Sequence, residues 1–167
     1  MNDDHDPELG TIAREMYIDA TPDVVYEVVS NPAHISQWWS DELTLDGDAP
    51  GASGVISWGK SEDPDYHAES FRIVDAVPGK TFSFNWCYPP GDTDLSGRAL
   101  LVTFTLVPQG DGTLLSMTET GFREKGWEAA VLEEMYNDHV RGWGQHLPDL
   151  IAYAERTAAR AVTRGTR

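Results

Sequence analysis

The sequence predicts an α+β fold, with a curved antiparallel sheet of about six strands around one long C-terminal helix. Apolar and polar residues alternate in several segments between residues 11 and 121, which is typical of half-buried strands. Two short segments near the N-terminus begin with proline, a favoured first residue of helices. From about residue 127, apolar side chains recur at spacings of three and four, as on one face of a helix. An antiparallel sheet with helices on one face is the simplest way to bury these surfaces together.

The first strand and the two short helices follow from local signals. Apolar and polar side chains alternate over residues 11–20, which predicts a strand. Thr21 and Pro22 then supply an N-cap and a first helical residue, which predicts a helix over 22–31. A second proline-led helix is predicted over 32–39, and it closes on two adjacent tryptophans.

The middle of the chain predicts a meander of strands joined by turns. Glycine, proline and acidic residues predict loops over 41–53 and 89–97. Between and after these loops, alternating segments predict five further strands, at 54–60, 66–77, 81–88, 99–108 and 113–121.

The C-terminal part predicts a helix over about 127–161. Its apolar stripe is Leu132, Tyr136, Val140 (or His139), Trp143, Leu147, Leu150 and Ala154. Pro148 lacks a backbone donor and clashes one turn back, so a bend near 142–148 is expected. One domain is therefore predicted over 11–161, between an acidic tail (1–10) and a basic tail (162–167).

The composition restricts the class of function. The chain has 167 residues, 40% of them hydrophobic, and a formal net charge of −16. Such an acidic protein repels phosphate backbones, so nucleic acid and anionic membranes are not expected partners. No apolar run is long enough to span a membrane, and the N-terminus lacks a secretory signal. The single cysteine, Cys87, fits a reducing compartment, and a cytoplasmic location is expected.

Four segments in order resemble one known family. They are RExxIDATPDVVYEVVSNPAHISQWW (14–39), FSFNW (82–86), GTLLSMTETGF (112–122) and GWGQHLPDLIAYAE (142–155). These segments resemble the family of heat-shock-protein ATPase activator homologues, within the START/Bet v-like (SRPBCC) superfamily. The resemblance implies a helix-grip fold around a hydrophobic cavity. Membership of this superfamily also implies that a homodimer is possible, and a chaperone partner is possible because the founding members are co-chaperones. Other superfamily members bind lipids, hormones or polyketides, which favours a ligand in the cavity.

A cavity between the sheet and the last helix is the main functional expectation. Adjacent helical residues point about 100° apart, so Trp38 and Trp39 are not expected to face one core together. Plain core packing is one interpretation of the many aromatic residues, and a wall around a flat apolar guest is the other. The expected wall residues are Trp39, Trp58, Phe82, Phe84, Trp86, Phe104, Met117, Trp143 and Leu147, with Glu119 and His146 orienting the polar end of the guest.

Polar side chains leave an enzymatic alternative open. If the protein resembles polyketide cyclases and aromatases, Glu119, His146 or Tyr66 would move protons. A carboxylate facing an apolar cavity has a raised pKa. Glu119 is instead expected to pair with an arginine, for which Arg14, Arg72 and Arg98 are the candidates, or to lie where the strand reaches water.

No cofactor or metal is expected. His139 and His146 lie about 10 Å apart along a helix, which is too far for both to bind one metal ion comfortably. The sequence contains no phosphate-binding loop, dinucleotide fingerprint, CxxC pair, HExxH or GxSxG motif. Binding of a small hydrophobic or amphipathic molecule is the favoured function, ahead of the cyclase-like enzyme and of a co-chaperone-like protein that uses its outer surface.

Overall fold

The computed structural model describes residues 10–88 and 99–165, with side chains described as far as residue 160. The loop predicted for 89–97 and all but the last residue of the predicted acidic tail lie outside the described residues, as do residues 166–167. The described chain forms an antiparallel sheet, two short helices and one long helix, so the predicted α+β helix-grip fold is confirmed.

Seven strands make up one sheet in the spatial order β1-β7-β6-β5-β4-β3-β2 within the described residues. Their bounds are β1 Thr11–Ile18, β2 Glu42–Leu45, β3 Ser53–Trp58, β4 His67–Val77, β5 Thr81–Trp86, β6 Leu100–Gln109 and β7 Gly112–Thr120. All neighbouring strands are antiparallel, and a bulge between Ile73 and Asp75 shifts the register of β4 against β5.

The strand β2 corrects the predicted loop over 41–53. Its four residues pair with β3 at the edge of the sheet, with Leu43 opposite Ile56. Four residues are too few to show a clear alternation, and glycine, proline and acidic residues surround them. Gly54 permits the pairing, because a β-carbon at this position would overlap the backbone carbonyl oxygen of Thr44.

Both short helices begin with the predicted caps. The helices are α1 (Pro22–Ser30) and α2 (Pro32–Trp38). The Thr21 hydroxyl accepts a hydrogen bond from the Val24 amide at 3.4 Å, and the Asn31 side chain accepts one from the Ala33 amide at 2.9 Å. The valine face of α1 is buried, with α1 packed against α3, β5 and β6, while α2 packs against the edge strand β2.

The long helix α3 (Ala129–Gly165) runs without interruption through Pro148, whose ring is exposed. Its buried face consists of Tyr136, His139, Trp143, Leu147, Leu150 and Ala154, so His139 takes the inward position and Val140 is only half-buried. The Tyr136 hydroxyl donates to the backbone oxygen of Thr11 at 2.8 Å, which ties α3 to β1. No helix in the described part of the chain is both long and apolar enough to cross a membrane.

The inner face of the sheet matches the predicted alternation. Its buried members on three neighbouring strands include Phe82, Phe84 and Trp86 of β5, Val102, Phe104 and Leu106 of β6, and Leu115, Met117 and Glu119 of β7. A fully buried carboxylate at the end of this apolar face requires partners, and those partners define the site.

Candidate functional site

A cavity of about 270 Å³ lies between the ends of β3, β4 and β5 and the first half of α3. Its wall is formed by Trp39, Trp58, His67, Glu69, Trp86, Cys87, Met135, Asp138, His139, Gly142, Trp143 and His146. The volume corresponds to roughly nine water molecules, near the lower end of ligand-binding pockets. The structure thus places a hollow at one end of the sheet rather than along its whole inner face.

Strand and helix periodicities explain why these side chains meet. His67 and Glu69 share the alternation of Phe71, which is buried on the inner face of β4. On α3, the lining positions recur every three or four residues from Met135 to His146, so one stripe of the helix faces the cavity.

Trp39 is the centre of the aromatic wall. Its ring centroid lies 4.9 Å from that of Trp86, 5.2 Å from that of Trp143 and 5.9 Å from that of Trp58. Trp38 stacks on Trp39 at 5.9 Å but also packs edge-on against Phe104 of the core. The two adjacent tryptophans are therefore both buried, one against the core and the other against the cavity.

Three lining tryptophans are fixed by hydrogen bonds from their indole nitrogens. Trp86 Nε1 donates to Glu119 Oε2 at 2.8 Å, and Trp143 Nε1 donates to Glu119 Oε1 at 2.9 Å. Trp58 Nε1 donates to the backbone oxygen of Trp39 at 2.9 Å. Because a buried indole N–H needs an acceptor, these bonds hold the rings in place.

Glu119 also binds His139, whose Nδ1 lies 2.9 Å from Oε1. Burial by itself lowers the pKa of His139, but the hydrogen bond and charge of Glu119 outweigh it, so the pKa stands above the usual 6.5. The partners that the described residues give Glu119 are this histidine and the two indoles, so the predicted pairing with Arg14 or Arg72 is wrong. Arg98 lies outside the described residues.

Cys87 lies beside this pair in a left-handed backbone conformation, with φ at 65°. Its Sγ is 3.9 Å from His139 Nε2. Burial, followed by the charges of Glu69 and Glu119, raises the pKa of the Cys87 thiol well above 9.0. The sulfur is therefore a protonated thiol at neutral pH, and the geometry does not activate it as a nucleophile.

Four further polar groups line the cavity, namely His67, Glu69, Asp138 and His146. His67 Nε2 lies 2.7 Å from Glu69 Oε2, and burial raises the pKa of Glu69 although His67 and Lys125 oppose the rise. Burial lowers the pKa of His146, which keeps this imidazole neutral at pH 7. Among the residues that the structure describes, no three His, Cys, Asp or Glu side chains are grouped to hold a metal ion.

A second hollow of about 470 Å³ lies on the other side of the domain, beside α1. Its wall includes Glu27, Asp48, Pro50 and Pro78, and it has no tryptophan. Among the predicted ligand-binding residues, only Phe82 contributes to it. The aromatic cavity is therefore the better candidate site.

A family model described as "Activator of Hsp90 ATPase homolog 1-like protein" matches residues 19–155. The chain belongs to this family. A search of curated proteins found no match. The model of the activator of Hsp90 ATPase homolog 1-like family covers α1 to most of α3 and includes every lining residue of the aromatic cavity.

Solved structures of similar proteins have the same fold. Protein MLL2253 from Mesorhizobium loti is 26% identical, with a TM-score of 0.67 over 88% of this chain and 98% of that one. The Aha1 dimer from Colwellia psychrerythraea is 17% identical, with a TM-score of 0.61 over 87% of this chain and 96% of that one. DynU16, described as a putative protein in the dynemicin biosynthetic locus, is 18% identical, with a TM-score of 0.61 over 89% of this chain and 48% of that one.

The predicted site residues divide into three groups in this family member. Those that line the cavity are Trp39, Trp58, Trp86, Trp143 and His146. Those buried outside the lining are Phe82, Phe84, Phe104, Met117, Leu147 and Glu119, although Glu119 holds two of the lining indoles and His139. Tyr66 is 40% exposed and does not line the cavity.

Sequence reasoning does not single out several lining residues. His67 and Glu69 are two residues apart on β4, so the alternation of the strand places both on one face. Met135, Asp138 and Gly142 fall on the α3 stripe that contains Trp143, so the helical spacing contains the signal needed to find them.

Proposed function

We propose that this protein binds a small, flat and largely apolar molecule in the cavity beside Trp39. The observation that carries the proposal is a hollow of about 270 Å³ bounded by four tryptophans whose rings are inclined to one another. The family and fold support it, because this helix-grip architecture leaves space between its sheet and its last helix. Space for several waters also favours ligand binding over a role confined to the outer surface.

The expected affinity is moderate. Burying about 200 Å² of apolar guest surface contributes roughly 5 kcal/mol. Part of this gain is offset by the lost freedom of the guest, so the apolar contacts alone are expected to give a dissociation constant no tighter than about 0.2 mM. Homodimerisation, a chaperone partner and a cytoplasmic location stay predictions.

Filling the cavity from the helix side should abolish binding. Gly142 is in the middle of the lining stripe, and a β-carbon there meets nothing within 4 Å. In Gly142→Leu the added side chain is expected to occupy the guest's space and to weaken binding of 1-naphthol at least tenfold. Titration calorimetry measures the affinity, and native mass spectrometry of protein from its own host identifies any guest that co-purifies.

Gly144→Leu is the matched control for this experiment. Gly144 is an exposed residue of the same helix, does not line the cavity and also has open space around it. Both substitutions replace a helical glycine and should stabilise α3 by a similar amount, about 0.8 kcal/mol. Equal affinities of the two variants for 1-naphthol would contradict the proposed site.

A second candidate function, proton transfer, is favoured by one observation. His139 lines the cavity while Glu119 holds its other nitrogen at 2.9 Å, which is the arrangement of a general base oriented by a carboxylate. The Cys87 sulfur lies 3.9 Å from Nε2, so a substrate would have to move this sulfur aside to reach the base.

Base-catalysed ring opening of 5-nitrobenzisoxazole tests the second candidate. The neutral imidazole is the base, so the rate should rise with pH through the raised pKa of His139 and fall at least tenfold in His139→Ala. His34→Ala is the control, because His34 contacts Tyr153 at 2.6 Å and does not line the cavity. If wild-type protein catalysed the ring opening no faster than free imidazole does, this function would be eliminated.

A further inference from the structure

We infer that the guest is a small organic cation, an ammonium or quaternary ammonium group with apolar substituents. This inference rests on the proposed function and specifies the class of guest that the same cavity takes. Its two supports are the kind of aromatic wall and the sign of the charge around it.

The aromatic wall is suited to a cation. Indole is the side chain whose face attracts a cation most strongly, and the attraction grows when the cation is removed from water. Trp39 meets Trp58 and Trp86 at 69° and 73°, and Trp58 meets Trp86 at 50°. Rings inclined in this way form a corner with faces in several directions, as in the aromatic cages that bind quaternary ammonium groups.

The charged groups of the cavity are predominantly acidic. Glu69 and Asp138 belong to its wall, and no lysine or arginine belongs to the wall as far as residues 10–88 and 99–160 define it. The Glu69 side chain is only 17% exposed, so its carboxylate has lost much of its hydration. A cationic guest would add a second favourable partner to this carboxylate, beside His67.

The nearby bases do not cancel this acidic character. His139 is paired with Glu119, and His146 is kept neutral by burial. His67 contacts Glu69 at 2.7 Å from a side chain that is 58% exposed. Arg141 lies 3.4 Å from Asp138, but both of these side chains are largely exposed and Arg141 does not line the cavity. Lys125 lowers the pKa of Glu69, but its Nζ donates to the backbone oxygen of Cys87 at 2.6 Å and it does not line the cavity.

The whole molecule reinforces the local charge. A formal net charge of −16 raises the concentration of cations near the surface and repels anionic competitors. Salt screens this long-range contribution, whereas contacts inside the cavity are screened much less. If the preference for a cation persists at physiological salt, it therefore arises from contacts inside the cavity.

The test compares two probes of the same shape, choline and its uncharged isostere 3,3-dimethylbutan-1-ol. Titration calorimetry at pH 8 and physiological salt, with sodium chloride balancing the choline chloride, gives both dissociation constants. Choline is expected to bind at least tenfold more tightly. In Glu69→Gln this preference should shrink about tenfold. Asp75→Asn is the control on the same strand, because Asp75 is exposed and does not line the cavity.

The outcomes separate this inference from the proposed function. Equal or tighter binding of the uncharged isostere overturns the inference and leaves an apolar site. Failure of both probes to bind, while 1-naphthol still binds wild type and not Gly142→Leu, also overturns the inference alone. Failure of all three probes to bind removes the proposed function as well. A preference for choline that Asp75→Asn lowers as much as Glu69→Gln would also overturn the inference, because general attraction to an acidic protein would then explain it.

Discussion

Glu119→Gln is expected to lower the free energy of unfolding by about 3 kcal/mol. The carboxylate is fully buried and accepts from Trp86 Nε1 through one oxygen and from Trp143 Nε1 and His139 Nδ1 through the other. Glutamine keeps one acceptor oxygen, but its NH₂ group takes the place of the other oxygen and faces a buried N–H donor. Neither this NH₂ group nor the N–H that it faces then has an acceptor. Urea unfolding at pH 7 measures the loss.

An exposed glutamate provides the matched control for this substitution. Glu15→Gln changes the same atoms on the exposed face of β1 and should alter the free energy of unfolding by less than about 0.5 kcal/mol. If Glu119→Gln were no more destabilising than Glu15→Gln, the buried network would contribute nothing measurable to stability.

The effect of Glu119→Gln should also depend on pH. The pKa of His139 is higher in the folded chain than its usual 6.5, so the protonated imidazole is favoured by folding. Stabilisation from this source is fully present below pH 6.5 and is lost as the pH rises through the folded-state pKa. The difference in unfolding free energy between wild type and Glu119→Gln should therefore be larger at pH 6 than at pH 9. A difference that grows with pH would show that His139 is neutral in the native protein.

Trp39→Ala is expected to cost about 4 kcal/mol of stability and to abolish guest binding. The Trp39 ring contacts Trp38, Trp58, Phe84, Trp86 and Trp143, with centroid distances between 4.9 and 5.9 Å. Truncation removes one wall of the cavity and joins its volume to a new void in the core. Urea unfolding and titration with 1-naphthol measure the two effects.

Two further variants make this result interpretable. Trp127→Ala removes a half-buried tryptophan that packs on Lys125 and does not line the cavity, so it should cost less than half as much and leave binding intact. Trp39→Phe should keep most of the stability but weaken binding, because a smaller ring still fills part of the core. Wild-type affinity in Trp39→Phe together with lost affinity in Trp127→Ala would place the site elsewhere.

The alternation of the strands allowed the inner face of the sheet to be predicted, but not the position of the cavity. Phe84, Phe104 and Met117 face inward as expected, yet they are covered by other side chains and do not line the hollow. A period of two residues fixes the face on which a side chain lies, whereas the gap between facing layers depends on how α1, α2 and α3 pack. The hollow lies where Gly142 contributes no side chain, beside the ends of β3, β4 and β5.

The partner of Glu119 illustrates the same limit. An inward carboxylate at the end of β7 indicates a buried charge, and an arginine is a common partner for such a charge. Predicting His139 as the partner would require the rotation of α3 about its own axis to be known to within one residue, because Val140 fits the apolar stripe equally well in the sequence. The sequence does not indicate the edge strand β2 for a different reason, since four residues between loop-forming segments show no period.

The hydrogen-bonded indoles restrict how this cavity can evolve. Trp86 and Trp143 share a buried acceptor, and Trp58 is attached to the backbone at Trp39, so replacing any of them disturbs folding as well as the guest. Met135 and Gly142 face the same space without such attachments. Substitutions that exchange one guest for another are therefore expected to cost least at Met135 and Gly142, whereas the hydrogen-bonded indoles are expected to tolerate little change.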